Sequence, residues 1–320
     1  LNAFKTPVRG EVGPMWPLVN LIVPLGMLVV LPLGLALLDP AGLRTVRRLW
    51  PLFAVPGAVC LWLPRGALAT TLACGYALGT VLLAGHAAGR LVRGGRAVPA
   101  PAEVAALTAL ACPAVAASAL VAERAGHRLL GFDLDILALT VPHFHFAGFA
   151  AALVAGLVCR TADRPAARFA GYSVPSGTLL VLAGYFVDDW AELLGALVLT
   201  AGMWTVAWLT WREVRPTAPD RATRVLLAVS AAVLVATMLL ALSWAVGQAT
   251  GLPHPDLAWM AATHGLGNAL GFALCSVLAW RRLATPGGRS EDKGPGTGAL
   301  PATWARSRPG RDHSTPIRRP

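Results

Sequence analysis

Charge is what this chain has least of. Asp, Glu, Lys and Arg make up only 13% of its 320 residues, about half the ~25% of a soluble globular domain. That deficit excludes an ordinary water-soluble enzyme. Lysine is nearly missing: Lys5 and Lys293 stand beside 25 arginines, a compositional bias that says nothing of function. The five cysteines, Cys60, Cys74, Cys112, Cys159 and Cys275, fall singly in apolar segments. With no CxxC and no metal-type spacing they make neither a zinc site nor a disulfide framework, and they read as small buried residues. No metal site and no cofactor is expected.

Apolar sequence takes the place of charge. Hydrophobic residues reach 56%, with a mean hydropathy of +0.60. The net charge of +11 would suit a nucleic-acid binder, but its placement argues otherwise. Basic residues sit between the apolar runs, and nine lie in the last 40 positions. Charge so placed orients a membrane protein and does not form a DNA-reading face. Nucleic acid is therefore not expected as a partner, and the lipid bilayer is.

About 20 apolar residues cross a bilayer as a helix. Nine such runs are present, near 16–38, 49–63, 67–91, 102–122, 134–158, 169–187, 190–211, 225–248 and 257–280. Pro51 and Pro56 make the second run a candidate re-entrant segment. The first is too long for the ~7–15-residue core of a signal peptide, so it reads as a retained helix. The expectation is an all-α, polytopic membrane helix bundle of about nine transmembrane helices over 16–282. A short extracytoplasmic segment (1–15) precedes it, and a disordered basic tail (283–320), rich in Gly, Pro, Ser and Arg, follows it. Alternate loops carry thirteen basic residues on one side and five on the other. The positive-inside rule then predicts a cell-membrane protein with its N-terminus outside and its C-terminus cytoplasmic. The sequence leaves the oligomeric state open.

Two polar intrusions break the apolar runs. Val141-Pro142-His143-Phe144-His145-Phe146-Ala147-Gly148-Phe149 lies in the fifth, and Thr263-His264-Gly265-Leu266-Gly267-Asn268 in the ninth. Ionisable groups are costly in hydrocarbon, and chains that keep them there usually use them. His143 starts about 13 Å, and His264 about 10 Å, below the same side at 1.5 Å per residue. Their shared depth predicts one cavity, lined by helices five, six, seven and nine. His143 and His145, two apart, point about 200° apart on an ideal helix; Pro142 loosens that constraint. His143 and His264 are expected to face inward, with Asn268 on the face of His264. The carboxylates Asp188, Asp189 and Glu192 ring the same side.

Blander readings cover the rest. Asp133 and Asp135 suit a helix N-terminus. Glu123, Arg124, His127 and Arg128 read as a solvated loop, His86 as packing, and His254 and His313 as loop and tail.

The stretches Pro142–Phe149 (PHFHFAGF) and Thr263–Phe272 (THGLGNALGF) resemble the YndJ-like family of bacterial multi-pass membrane proteins. The resemblance covers most of the membrane part. It implies a polytopic architecture and importance for His143, His145, His264 and Asn268, and it names no reaction.

Two functions from different classes follow. The sharper is an intramembrane enzyme on an apolar, isoprenoid small molecule, similar in outline to small membrane-bound terpene cyclases. Asp188, Asp189 or Glu192 would donate a proton, since burial favours the neutral acid. His143 and His264 would orient the acid or end the reaction as a base. His145, Phe144, Phe146, Phe149, Tyr185, Phe186, Trp190 and Asn268 would border the substrate. The alternative is a proton- or metal-coupled transporter, or a haem-binding membrane protein held by His143 and His264.

Overall fold

The computed structural model describes residues 15–95, 98–162 and 164–285. All but Met15 of the expected N-terminal segment, and all but the first three residues of the expected tail, lie outside those residues. Among the described residues nine helical rods follow one another and there is no strand. They are α1 (Pro17–Leu38), α2 (Arg44–Cys60), α3 (Ala67–Arg93), α4 (Pro101–Arg124), α5 (Leu134–Thr161), α6 (Pro165–Val187), α7 (Asp189–Thr217), α8 (Arg221–Thr250) and α9 (Leu257–Ala284). All but α2 are long and apolar enough to cross a bilayer.

The rods outrun their apolar cores because their ends are built from capping residues. Pro101 and Pro165 occupy the first turns of α4 and α6, where a missing N–H costs nothing. Asp188, Asp220 and Asp256 each accept a backbone N–H at the start of α7, α8 and α9, the expected role of an N-cap carboxylate. Asp133 holds the same position on α5 without a capping bond and pairs with Arg128 instead.

Despite two internal prolines, α2 runs the length of the bundle. It begins just after Asp39, which meets His86 (3.2 Å) and Arg90 (3.9 Å) near the end of α3. Beyond its other end Arg124 donates to the carbonyls of Cys60 and Leu63 (3.3 and 3.2 Å). The second run therefore forms a helix that extends from one end of the bundle to the other. With 17 residues it is about 26 Å long.

The two ends differ in chemistry. One is arginine-rich, with Arg90 in a two-bond pair to Glu103 (2.9 and 2.5 Å). There His86 is part of an ion network with Asp39, which corrects its reading as packing. At the opposite end, the Asp188 end, Glu123 is 1% exposed and takes Arg65 (2.8 Å) and Arg124 (2.6 Å) on Oε1. A buried carboxylate needs such partners, so this is a clasp between the α2–α3 turn and α4, not a solvated loop.

Helices α6 and α7 form the tightest pair. Glycines recur at intervals of seven on both, Gly177 and Gly184 against Gly195 and Gly202. A Cβ on Gly184 would lie 2.5 Å from the Glu192 backbone, and one on Gly195 2.5 Å from the Val181 nitrogen. Small residues of this kind let membrane helices approach backbone to backbone. At the centre runs α5, with 89% of its apolar window buried. Cys60 and Cys112 are buried as expected, whereas Cys74 is exposed on α3.

Candidate functional site

Both sequence motifs fold as π-helical turns. Phe144–Ala150 in α5, and Ala261–Gly265 with Gly267–Leu274 in α9, hold wider turns than the surrounding α-helix. Two more, Gly26–Val30 and Thr210–Val214, lie in α1 and α7. Pro142 explains the first, since it cannot donate to the preceding turn and the register slips after it. Wide turns release carbonyls from their usual partners, and side chains take some of them up. Trp50 Nε1 donates to Met27 O (2.8 Å) and Thr178 Oγ1 to Ala147 O (3.4 Å). Turns of this type recur at functional sites.

A cavity of about 470 Å³ opens beside these turns, a volume within the ~300–1,000 Å³ of small-molecule sites. His143 on α5, Glu192 on α7 and His264 with Asn268 on α9 all line it. Its remaining wall is almost wholly apolar and contains no arginine or lysine. Phe144, Phe146, Tyr185 and Phe186 also border it.

The two cavity histidines differ in their bonds. His264 Nδ1 meets the Thr237 carbonyl at 2.8 Å, and Asn268 Nδ2 meets His264 Nε2 at 3.1 Å. A carbonyl oxygen only accepts, so Nδ1 carries the proton and Nε2 takes the amide N–H. Thr237 Oγ1 donates to Asn268 Oδ1 at 2.8 Å and closes the ring of bonds. Both nitrogens of His264 are thus committed. Neither nitrogen of His143 has a hydrogen-bond partner among the described residues.

Other expected site residues lie elsewhere. His145 is 1% exposed, with Nε2 at 2.5 Å from the Tyr76 hydroxyl and Nδ1 at 2.7 Å from Val141 O. It stacks on Tyr76, which packs edge-on against Trp50, and so ties α5 to α3 and α2. Pro142 has not brought it round to the side of His143. Phe149 is fully buried against Gly34 of α1. Asp188 caps α7 through Ala191 N (2.8 Å). Neither it nor Asp189 nor Trp190, which is 62% exposed, lines the cavity. His145, Phe149, Asp188, Asp189 and Trp190 therefore leave the candidate set, and Glu192 is its one carboxylate.

Sequence reading missed α1, α4 and α8, whose Ile22, Val115, Ser118, Met238 and Trp244 complete the lining. Thr237 was missed as well. A threonine in an apolar helix is its own weak signal, because its hydroxyl needs a partner. Among the described residues no group of three His, Cys, Asp or Glu could hold a metal ion.

No curated protein and no solved structure matches the chain. A family model does: that of the YndJ-like proteins matches residues 21–272. The match runs from α1 into the second π turn of α9 and so takes in every cavity residue named above. The chain belongs to the YndJ-like family.

Proposed function

We propose that this protein is an intramembrane enzyme that isomerises an apolar, isoprenoid substrate by acid–base chemistry, most sharply a membrane-bound terpene cyclase. One observation carries the reading: a single carboxyl group, Glu192, and an uncommitted imidazole, His143, line the same apolar cavity. No cation lines the cavity beside it, so Glu192 is the group placed to hand a proton to an apolar substrate there.

Glu192 gives its proton to an alkene or epoxide. The cation that results is attacked by a second double bond, which closes a ring. Phe144, Phe146, Tyr185 and Phe186 present aromatic faces to the moving positive charge. His143 removes a proton from the carbon next to the final cation, and the electron pair left behind becomes a new double bond. Return of that proton to Glu192 completes a cycle in which product and substrate have equal mass. His264 positions this wall and takes no proton.

The alternatives meet specific obstacles. Toward the arginine-rich end α5 offers no ionisable side chain between His145 and Cys159, and its Phe149, Leu153 and Val154 are each at most 1% exposed. Haem ligation by His264 would break its bond to Asn268 or to Thr237. We further propose that the arginine-rich end is cytoplasmic and the Asp188 end extracytoplasmic, which reporter fusions after α8 and after α9 would check.

The test is direct. Purified protein in lipid nanodiscs, given prenylated substrates, should return a cyclised product of unchanged mass. Unaltered substrate across a panel of linear isoprenoids would refute the reading.

A further inference from the structure

Among the described residues, the exposed part of the cavity lining falls on one side. Three of its lining residues are exposed: Ser118 of α4, Leu130 (73%) of the α4–α5 turn and Phe186 (49%) of α6. Those contributed by α1, α8 and α9 are buried or half-buried. Ser118 lies six residues before the end of α4, hence about 9 Å along the helix from it, within an apolar membrane span. The opening is thus a slit in the flank of the bundle. It exists because α6 packs on the later half of α5 (Ala151–Thr161) and only sparsely on the earlier half (Leu134–His143).

A turn overhangs the slit. Within Leu129–Gly131, Leu130 has φ of +55°, a left-handed conformation that a leucine adopts only at a cost. That geometry turns an exposed leucine into the cavity lining. The next residue, Phe132, packs edge-on against Phe186 at 5.2 Å and Tyr185 at 6.4 Å. The turn thus lays apolar side chains, Leu129, Leu130 and Phe132, over the Asp188 end of the cavity.

We infer that the cavity is loaded sideways from the bilayer, through the slit between α4, α5 and α6 beneath the Leu129–Gly131 turn, and that its ligand is a hydrocarbon-chain lipid dissolved in the membrane. The occupant at the slit is the bilayer itself, because Ser118 sits at membrane depth and its companions there, Val115, Leu139 and Leu182, carry no charge. The inference rests on the apolar-substrate reading above and does not depend on turnover.

The full chain is reconstituted in nanodiscs that contain a phospholipid with a diazirine at the end of one acyl chain. After photolysis, adducts are mapped by peptide mass spectrometry. Inner-wall residues Met238 and Leu199 should be labelled as well as their outward-facing neighbours Leu239 and Leu197. In Ser118→Trp, which narrows the slit, inner-wall labelling should fall at least fivefold while outer labelling is unchanged. Labelling confined to Leu239 and Leu197 would overturn the inference, as would inner-wall labelling by a water-soluble sulfonated diazirine and not by the lipid. Inner-wall lipid adducts without turnover on any isoprenoid would sink the catalytic reading and leave the portal intact.

Discussion

His264 donates its Nδ1–H to the carbonyl oxygen of Thr237 at 2.8 Å, so an imidazole on α9 is anchored to the backbone of α8. The Thr237 hydroxyl then fixes the amide that occupies the other ring nitrogen. Removing Asn268 therefore exposes two groups at once. Asn268→Leu, close in volume, should cost about 1–3 kcal/mol, the range for orphaned buried polar groups. Thr237→Val should cost about 1 kcal/mol, and Thr237→Ser less. Thermal unfolding in detergent measures the order. In a ¹⁵N spectrum His264 should carry its proton on Nδ1, and a proton on Nε2 would contradict the bonding described.

Turnover separates the carboxylates. Glu192→Gln and His143→Ala should each lower the rate by about 10²–10⁴-fold, the usual scale of general acid–base catalysis. Asp188→Asn should leave turnover unchanged and the helix start intact, since asparagine caps as well as aspartate. Equal losses at Asp188 and Glu192 would mean that the acid has been placed wrongly.

The seven-residue glycine pattern makes a contrast within one substitution type. Gly184→Ala and Gly195→Ala push a methyl into backbone at 2.5 Å and should destabilise by about 1–3 kcal/mol, as overpacking does. Gly85→Ala meets nothing within 4 Å on α3. It should stabilise by about 0.5–1 kcal/mol through helix propensity. Unfolding midpoints of the three variants would show the opposite signs.

Glu123 and Arg65 share a hydrogen bond but not an environment. The carboxylate side chain is 2% exposed and its arginine partner 47%. Glu123→Ala leaves Arg124, 12% exposed, without its counter-charge and should cost about 3–5 kcal/mol. Arg65→Ala should cost about 1 kcal/mol or less, as exposed pairs do. Comparable losses would show that the pair is not buried in the native bundle.

Asp220 carries a pH dependence. Its carboxylate is held below the ordinary aspartate range, first by the Thr223 N–H, then by the Thr223 hydroxyl and Arg282. The folded state therefore favours the charged form. Its stabilising contribution is complete above the unfolded value, about 3.9, and fades as pH falls through the depressed folded one. The difference in unfolding temperature between wild type and Asp220→Ala should be constant from pH 7 to 5 and shrink below pH 4. A difference that grows on acidification would reverse the assignment.

Periodicity made most of the fold legible. Apolar runs with arginines between them located all nine rods to within a few residues, and the spacing of His143 and His145 implied their divergence. What could not be read were contacts that depend on which helix lies beside which. Glu123 looks like loop because its neighbours in sequence are charged, and only the fold brings Arg65 to it from a distant turn. Asp188 and Glu192 are four apart with the same chemistry, yet one starts a helix and the other lies a turn inside it, against the cavity. The cycle of glycines on α6 and α7 was present in the sequence and marks their intimacy. His145 was drawn into the site because the motif suggested it, whereas Tyr76, its partner, carries no local signal.

The wide turn at Phe144–Ala150 has a consequence for how the chain can be altered. A π turn accommodates one residue more than the regular helix it interrupts. Deleting a single residue there would let α5 relax into an unbroken α-helix, with both halves still in register with their neighbours. Loss of one residue elsewhere in α5 would instead rotate everything beyond it by about 100°. The turn that follows His143 thus holds one residue that α5 can lose with both of its ends kept in register, which allows architecture and activity to be separated by a single codon.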